Sequence, residues 1–247
     1  MKKNRLIAIG VMIYINGLLF LSRKRFTLPA VMLSPLSFLL FIYIFGGTNA
    51  LSYAATGGLI YTVVNSAFYS LADISSYRID NLFQDMIVAS PISLWAYLLG
   101  VGIGDLFYVI PSIALFLILL NLSVGISVIQ ELAVLTIILM IWLFLLSIIY
   151  PISQRIEKNR DLWPVVTFLS FFLVILPPVF YPYSYLPTAV RFLALISPTS
   201  SASYAISGLI HGFSLLSVTG LLITILLLIS AFILLILMSR RVDPYSH

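Results

Sequence analysis

The chain contains no cysteine. Disulfides, thiolate metal sites and cysteine nucleophiles are therefore excluded, and no redox compartment is marked. Histidine is almost as scarce. His211 and His247 stand apart and form no His-Glu-x-x-His motif, so no metal site is expected. A G-x-x-x-x-G-K-[ST] phosphate loop is also missing, so ATP hydrolysis is not expected of this chain. No pair of aspartates is expected to face each other across spans, which weighs against an intramembrane enzyme. Charge is the last shortage: Lys, Arg, Asp and Glu make up 9% of the 247 residues. That is too little polar surface for a water-soluble domain of this size.

What is present instead is apolar. Hydrophobic residues make up 62% of the chain and the mean hydropathy is +1.15. Runs of about 20 residues, enough to cross a hydrocarbon core of roughly 30 Å, recur along the chain. They are continuous rather than alternating, and backbone in lipid must satisfy its hydrogen bonds within the segment. The expected fold class is therefore all-α, a polytopic membrane protein in one domain covering residues 1–247. Six spans are expected at about 28–46, 50–72, 94–120, 131–150, 164–182 and 213–238. Connections begin near Gly46-Gly47-Thr48-Asn49, Asp73, Asn121, Pro151 and Tyr183.

The net charge of +5 reports orientation before any anionic partner, and nucleic acid is not expected. Of the 13 basic residues, only Arg191 falls on one side of this arrangement. Lys2, Lys3, Arg5, Arg23, Lys24, Arg25, Arg78, Arg155, Lys158, Arg160, Arg240 and Arg241 all fall on the other. The positive-inside rule then gives a multi-pass protein of the cell membrane with both termini cytoplasmic. Residues 6–21 (LIAIGVMIYINGLLFL) read as a seventh span, a signal, or a helix lying on the cytoplasmic face. Basic clusters at both ends and the absence of a small-residue cleavage site favour the interfacial helix.

The first cytoplasmic loop, Tyr77–Ser93, carries a helical pattern. Ile79, Leu82, Phe83, Met86 and Ile87 share one face, opposite Asp80, Asn81, Gln84 and Asp85. Asp73, Ser75 or Ser76 is expected to cap this short helix, and Pro91 to end it. A plain membrane anchor would carry Lys and Arg on its polar face. Carboxylates there fit a docking element for a soluble partner better.

Between the last two spans stand Pro177, Pro178, Pro182, Pro187 and Pro198, which cannot all sit inside one straight helix. Pro187 is placed to open a short helix over Thr188–Ile196, with Ser184 near as a cap. Ser197-Pro198-Thr199 then breaks it, and Ser200–Leu209 forms a second short piece. An apolar external segment of this length is expected to dip into the outer leaflet or pack on the bundle. Phe180, Tyr181, Tyr183 and Tyr185 suit an interfacial belt.

At these two places the chain resembles a known family. Arg78 followed by Ala89-Ser90-Pro91-Ile92-Ser93 resembles the cytoplasmic loop of type 2 ABC transporter permeases. Phe180-Tyr181-Pro182, Leu186-Pro187 and Ser197-Pro198-Thr199 resemble that family's segment before its last span, and the order of parts also agrees. Where family members often have Gly-Thr-Leu-Glu in the coupling helix, this chain has Asn81-Leu82-Phe83-Gln84-Asp85. The resemblance implies a non-catalytic membrane subunit of an exporter, paired as a homodimer or with a homologous permease. It also implies a separate ATP-binding subunit, which would hold the ATP and Mg; no cofactor is expected on this chain. Arg78, Asp80, Leu82, Phe83, Asp85, Met86, Ser90 and Pro91 would meet that subunit. Pro178, Tyr181, Pro182, Pro187 and Pro198 would shape the external re-entrant segment.

Asp105 is the carboxylate set well inside an expected span, where an ionisable group is costly. Gly100, Gly102 and Gly104 beside it permit close helix approach. Packing is its leading reading, with the translocation path or proton coupling as the other. Asn65 is read the same way, as an interhelical hydrogen bond before a substrate ligand, and Gly57-Gly58 as a packing site. The competing function is an ion-coupled secondary transporter or channel, which would need intramembrane charge and internal repeats.

Overall fold

The computed structural model describes residues 2–18, scattered positions from 33 to 50, and residues 51–79, 94–182 and 185–242. The chain is an all-α membrane protein. Helix α1 (Lys2–Ile13) runs on as a π-turn through Tyr14–Leu18. It is followed by α2 (Leu51–Ile79), α3 (Leu94–Val124) and α4 (Val128–Ser153). Next come α5 (Leu162–Ser170, extended by a π-turn over Phe171–Ile175), α6 (Thr188–Ile196), α7 (Pro198–His211) and α8 (Leu215–Val242).

Among the described residues, three stretches are long and apolar enough to cross a membrane: Ala96–Val124, Val128–Ser153 and Leu215–Met238. Their outer faces carry bare Ile and Leu, such as Ile118, Leu139 and Leu226, which only lipid would solvate. They answer to the expected spans 94–120, 131–150 and 213–238. The expected span 28–46 lies largely outside the described residues.

The other two expected spans depart from that pattern for different reasons. Helix α2 has 29 residues, ample length, but it carries Thr56, Gly57, Gly58, Thr62, Ser66 and Ser70. All six are buried, because α2 is wrapped by α3 and α4. A helix lined by protein need not be apolar all round. The expected span 164–182 is instead cut short. Helix ends at Ile175, where Leu176-Pro177-Pro178 removes two N–H donors in succession. The helical run Leu162–Ile175 reaches only about 21 Å at 1.5 Å per residue.

The backbone from Pro177 to Phe180 is non-helical yet buried. Non-helical backbone beside membrane helices is tolerated only under such cover. Phe180 lies over Gly57 of α2, where an added Cβ would meet the ring at 2.2 Å. Its ring centroid is 6.3 Å from that of Tyr61. Pro178 is buried; Tyr181 and Pro182 are half-buried, and the Tyr181 hydroxyl donates to the Leu176 carbonyl at 3.2 Å.

The broken pair of short helices forms as the prolines predict. Pro187 caps α6 and is exposed; Ser197 in extended conformation breaks the chain, and Pro198 opens α7. Ser184 lies outside the described residues. Helix α7 then folds back antiparallel along the first turns of α8. Gly208 abuts Ser217, Gly220 abuts the Ser201 carbonyl, and Thr224 donates to the Ser201 hydroxyl at 3.3 Å. Thr199, Ser200, Ser201 and Ser203 are all buried there.

Candidate functional site

Helices α2 and α3 pack antiparallel, and two contacts set their register. Gly58 faces Phe116, where an added Cβ would fall 2.3 Å from the ring. Further along, the Ser70 hydroxyl donates to Asp105 Oδ2 at 2.6 Å. Thr62, Ser66, Ser70, Asp73 and Tyr77 recur every three or four residues, so α2 presents them in one row. The opposing row of α3 contains Tyr97, Asp105, Tyr108 and Ser112, all buried.

Asp105 is wholly buried, with Oδ2 taken by Ser70 and Oδ1 without a hydrogen-bond partner among the described residues; Asp73 lies near it, one position further along the facing row of α2. Two aspartates therefore do face each other across helices, contrary to the sequence expectation. Nor does Asp73, Ser75 or Ser76 cap a new helix. α2 runs on to Ile79 without a break, because Asp73 finds a partner on α3 and Ser75 is buried. That continuation brings Asp73 to the level of Asp105, one turn beyond Ser70.

The N-terminal segment closes the site from a third side. Gly100 and Gly104 open a groove on α3 at the i, i+4 spacing that lets helix backbones approach. Met12 lies against Gly100 and Asn16 and Gly17 against Gly104, so the segment ascends α3 lengthwise. The Tyr77 hydroxyl donates to Asn16 Oδ1, and the Tyr108 hydroxyl to the Asn16 backbone carbonyl. Met12 and Asn16 are buried. The expected interfacial helix thus differs in its second half, which packs along α3 because the glycine groove offers contacts that a flat surface would not. Gly102 points the other way, towards Leu146 and Trp142 of α4.

At the far end of α2, Arg78 turns inward. One Nη2 donates to the Ser153 carbonyl at 3.0 Å and to the Ile156 carbonyl. These carbonyls belong to the last turn of α4 and the turn after it, where the helix dipole favours a cation; the Ser153 oxygen also accepts from the Ile156 backbone N–H at 3.3 Å. Arg78 thus ties the entrance of segment 80–93 to the exit of α4. Arg78→Ala is expected to lower stability by about 1.5–3 kcal/mol, the range for hydrogen bonds that involve a charged group. Thermal unfolding in detergent checks this; an unchanged melting temperature would rule out the tie.

Asp80, Leu82, Phe83, Asp85, Met86, Ser90 and Pro91 lie outside the described residues. Asn65 is half-buried and sits beside the polar row rather than on it, in line with Tyr61 and Tyr69. Gly57 and Gly58 serve packing, as their Phe180 and Phe116 contacts show. His211 stacks on Tyr53 at 5.8 Å, and the described residues hold no group of metal-binding side chains. Sequence reasoning missed Asp73, Ser70, Tyr77, Tyr108 and Asn16 as neighbours of Asp105. The four-and-three spacing of polar residues on α2 was the available signal. No family model matches the chain, and no curated protein matches it.

Proposed function

We propose that the chain is the membrane-spanning subunit of an ATP-driven exporter of the type 2 ABC permease kind. It would cross the cell membrane six times with both termini cytoplasmic, and pair with a second permease copy or homologue. A separate ATP-binding subunit would supply the hydrolysis and hold ATP and Mg. The observation that carries this reading is the broken helix pair α6–α7, whose second member is seated against α8, at the residues where the resemblance expects a re-entrant external segment. The Arg78 tie adds support, since a push on segment 80–93 would reach α4 as well as α2.

Co-purification of the full chain should recover an ATPase subunit. Charge reversal of Asp80 and Asp85, or Leu82→Ala with Phe83→Ala, should release it and stop export. Retention of both binding and export in those variants would overturn the docking role. A second reading, an ion-coupled secondary transporter or channel, draws on the buried carboxyl of Asp105 with the half-buried Asp73 near it. Transport by the purified chain alone in liposomes under an ion gradient would favour it.

A further inference from the structure

We propose that the first turn of α7 is a phosphate-binding site, at which the N–H groups of Thr199 and Ser200 and the Ser200 hydroxyl hold one phosphate group. The cause begins on α5. Leu173 lies in the π-turn, and the residues four and five positions on are Pro177 and Pro178. Neither an α-type nor a π-type bond can therefore reach its carbonyl. The Thr199 hydroxyl donates to that carbonyl instead. With its proton spent there, Thr199 Oγ1 accepts from the Ser197 hydroxyl at 2.8 Å. Ser197, the residue placed to cap α7, is thus turned aside and makes no side-chain capping bond.

A second observation points to a ligand. Ser200 has no exposed surface, and its hydroxyl has no hydrogen-bond partner among the described residues. Helical side chains lean towards the N-terminus, so this hydroxyl is aimed over the uncapped turn. The Ser197 N–H, which it could have received, goes to the Ala194 carbonyl at 3.2 Å. The start of α8 shows what the same Ser-x-x-Ser spacing does when nothing competes. There the Ser214 N–H donates to Ser217 Oγ at 2.8 Å, and the Ser217 N–H to Ser214 Oγ at 3.2 Å. In α7, Pro198 has no N–H and that of Ser201 goes to the Ser197 carbonyl at 3.1 Å, which leaves Thr199 and Ser200 as the donors of the turn. Those donors and the positive end of the helix dipole suit an anion. Leu176–Gly212 contains no Asp or Glu to repel one, and Arg191 is its one Lys or Arg. Entry runs past Ser197 and Pro198, both half-buried, with the Ser197 hydroxyl displaced from Thr199. Ile196, beside that entrance, is exposed and apolar, which suits the chains of a phospholipid; inorganic phosphate offers the same group from solution.

The test is thermal unfolding of the full chain in a non-ionic detergent, followed by tryptophan fluorescence. Dioctanoyl phosphatidylglycerol, inorganic phosphate and dioctanoylglycerol are titrated in turn. The melting temperature is expected to rise with the phospholipid and not with dioctanoylglycerol. A rise with inorganic phosphate as well assigns the site to the free ion; a rise with the phospholipid alone assigns it to a headgroup. Ser200→Ala should need at least about tenfold more ligand for the same rise, the loss of one hydrogen bond to a charged group. Should Ser200→Ala fail to fold, Ser200→Asp carries the test. It supplies a carboxylate to the same turn and should abolish the response. No rise with either phosphate compound, an equal rise with dioctanoylglycerol, or a parent-like response in the folded variant would each overturn the proposal. None of these readouts depends on transport, so they stand apart from the exporter reading.

Discussion

Gly58→Leu is expected to abolish the folded bundle. A Cβ at this position would already lie 2.3 Å from the Phe116 ring, and the remaining leucine carbons would project further into it. Phe116 cannot swing aside, because it is fully buried in the same core. Overpacking commonly costs about 1–3 kcal/mol, and a side chain forced into a blocked helix interface belongs at or above the top of that range. The effect should also spread, since α2–α3 is the most extensive helix pair among the described residues. Loss of the monodisperse peak in size-exclusion chromatography, with loss of a cooperative melt by tryptophan fluorescence, would report it. Gly10→Leu is the matched control, because a Cβ there meets nothing within 4 Å. Were Gly58→Leu to melt like the parent, the antiparallel register of α2 on α3 would be wrong. The pairing of Ser70 with Asp105 would fall with it.

The features legible in the sequence are those whose cause is local. Proline removes its own N–H and restricts the residue before it, so the break at Ser197-Pro198 and the limits of α6 could be read directly. Hydropathy places α3, α4 and α8, whose outer faces are bare and apolar. The same criterion misleads where protein replaces lipid. It closes a span at residue 72, although α2 continues to Ile79, because Asp73, Tyr77 and Arg78 find partners inside the bundle. It also carries a span through Pro177 and Pro178, counting their apolar neighbours while the helix has already ended. The start of α4 lies at Val128 rather than 131, fixed by a capping box between Ser127 and Gln130 that hydropathy does not weigh. The Asp73–Asp105 pairing was the least legible feature. It depends on how far one helix slides along another, and periodicity within each helix says nothing about that offset. Gly58 and Phe116 set the offset, by a contact that only three-dimensional packing reveals.

Gly104→Leu is expected to lift the N-terminal segment off α3 while leaving the α2–α3 pair in place. A Cβ at Gly104 would come 2.7 Å from the Asn16 Cβ and 3.2 Å from the Gly17 nitrogen. The second atom is backbone, so the contact cannot be relieved by turning a side chain. Undocking would break two hydrogen bonds to Asn16, from Tyr77 and Tyr108, each worth about 1 kcal/mol net, and strip Met12 of its seat on Gly100. The absence of native cysteine makes this directly measurable. A Met12→Cys probe, at a position now 3% exposed, should resist a water-soluble maleimide in the parent background. Combined with Gly104→Leu it should react at least about tenfold faster, the factor that roughly 1.4 kcal/mol of lost docking implies. An equal labelling rate in both backgrounds would mean that Gly104 is not the docking groove. The two glycine substitutions separate the layers of the site: Gly58 holds the helices that carry the carboxyl pair, and Gly104 holds the segment that covers it.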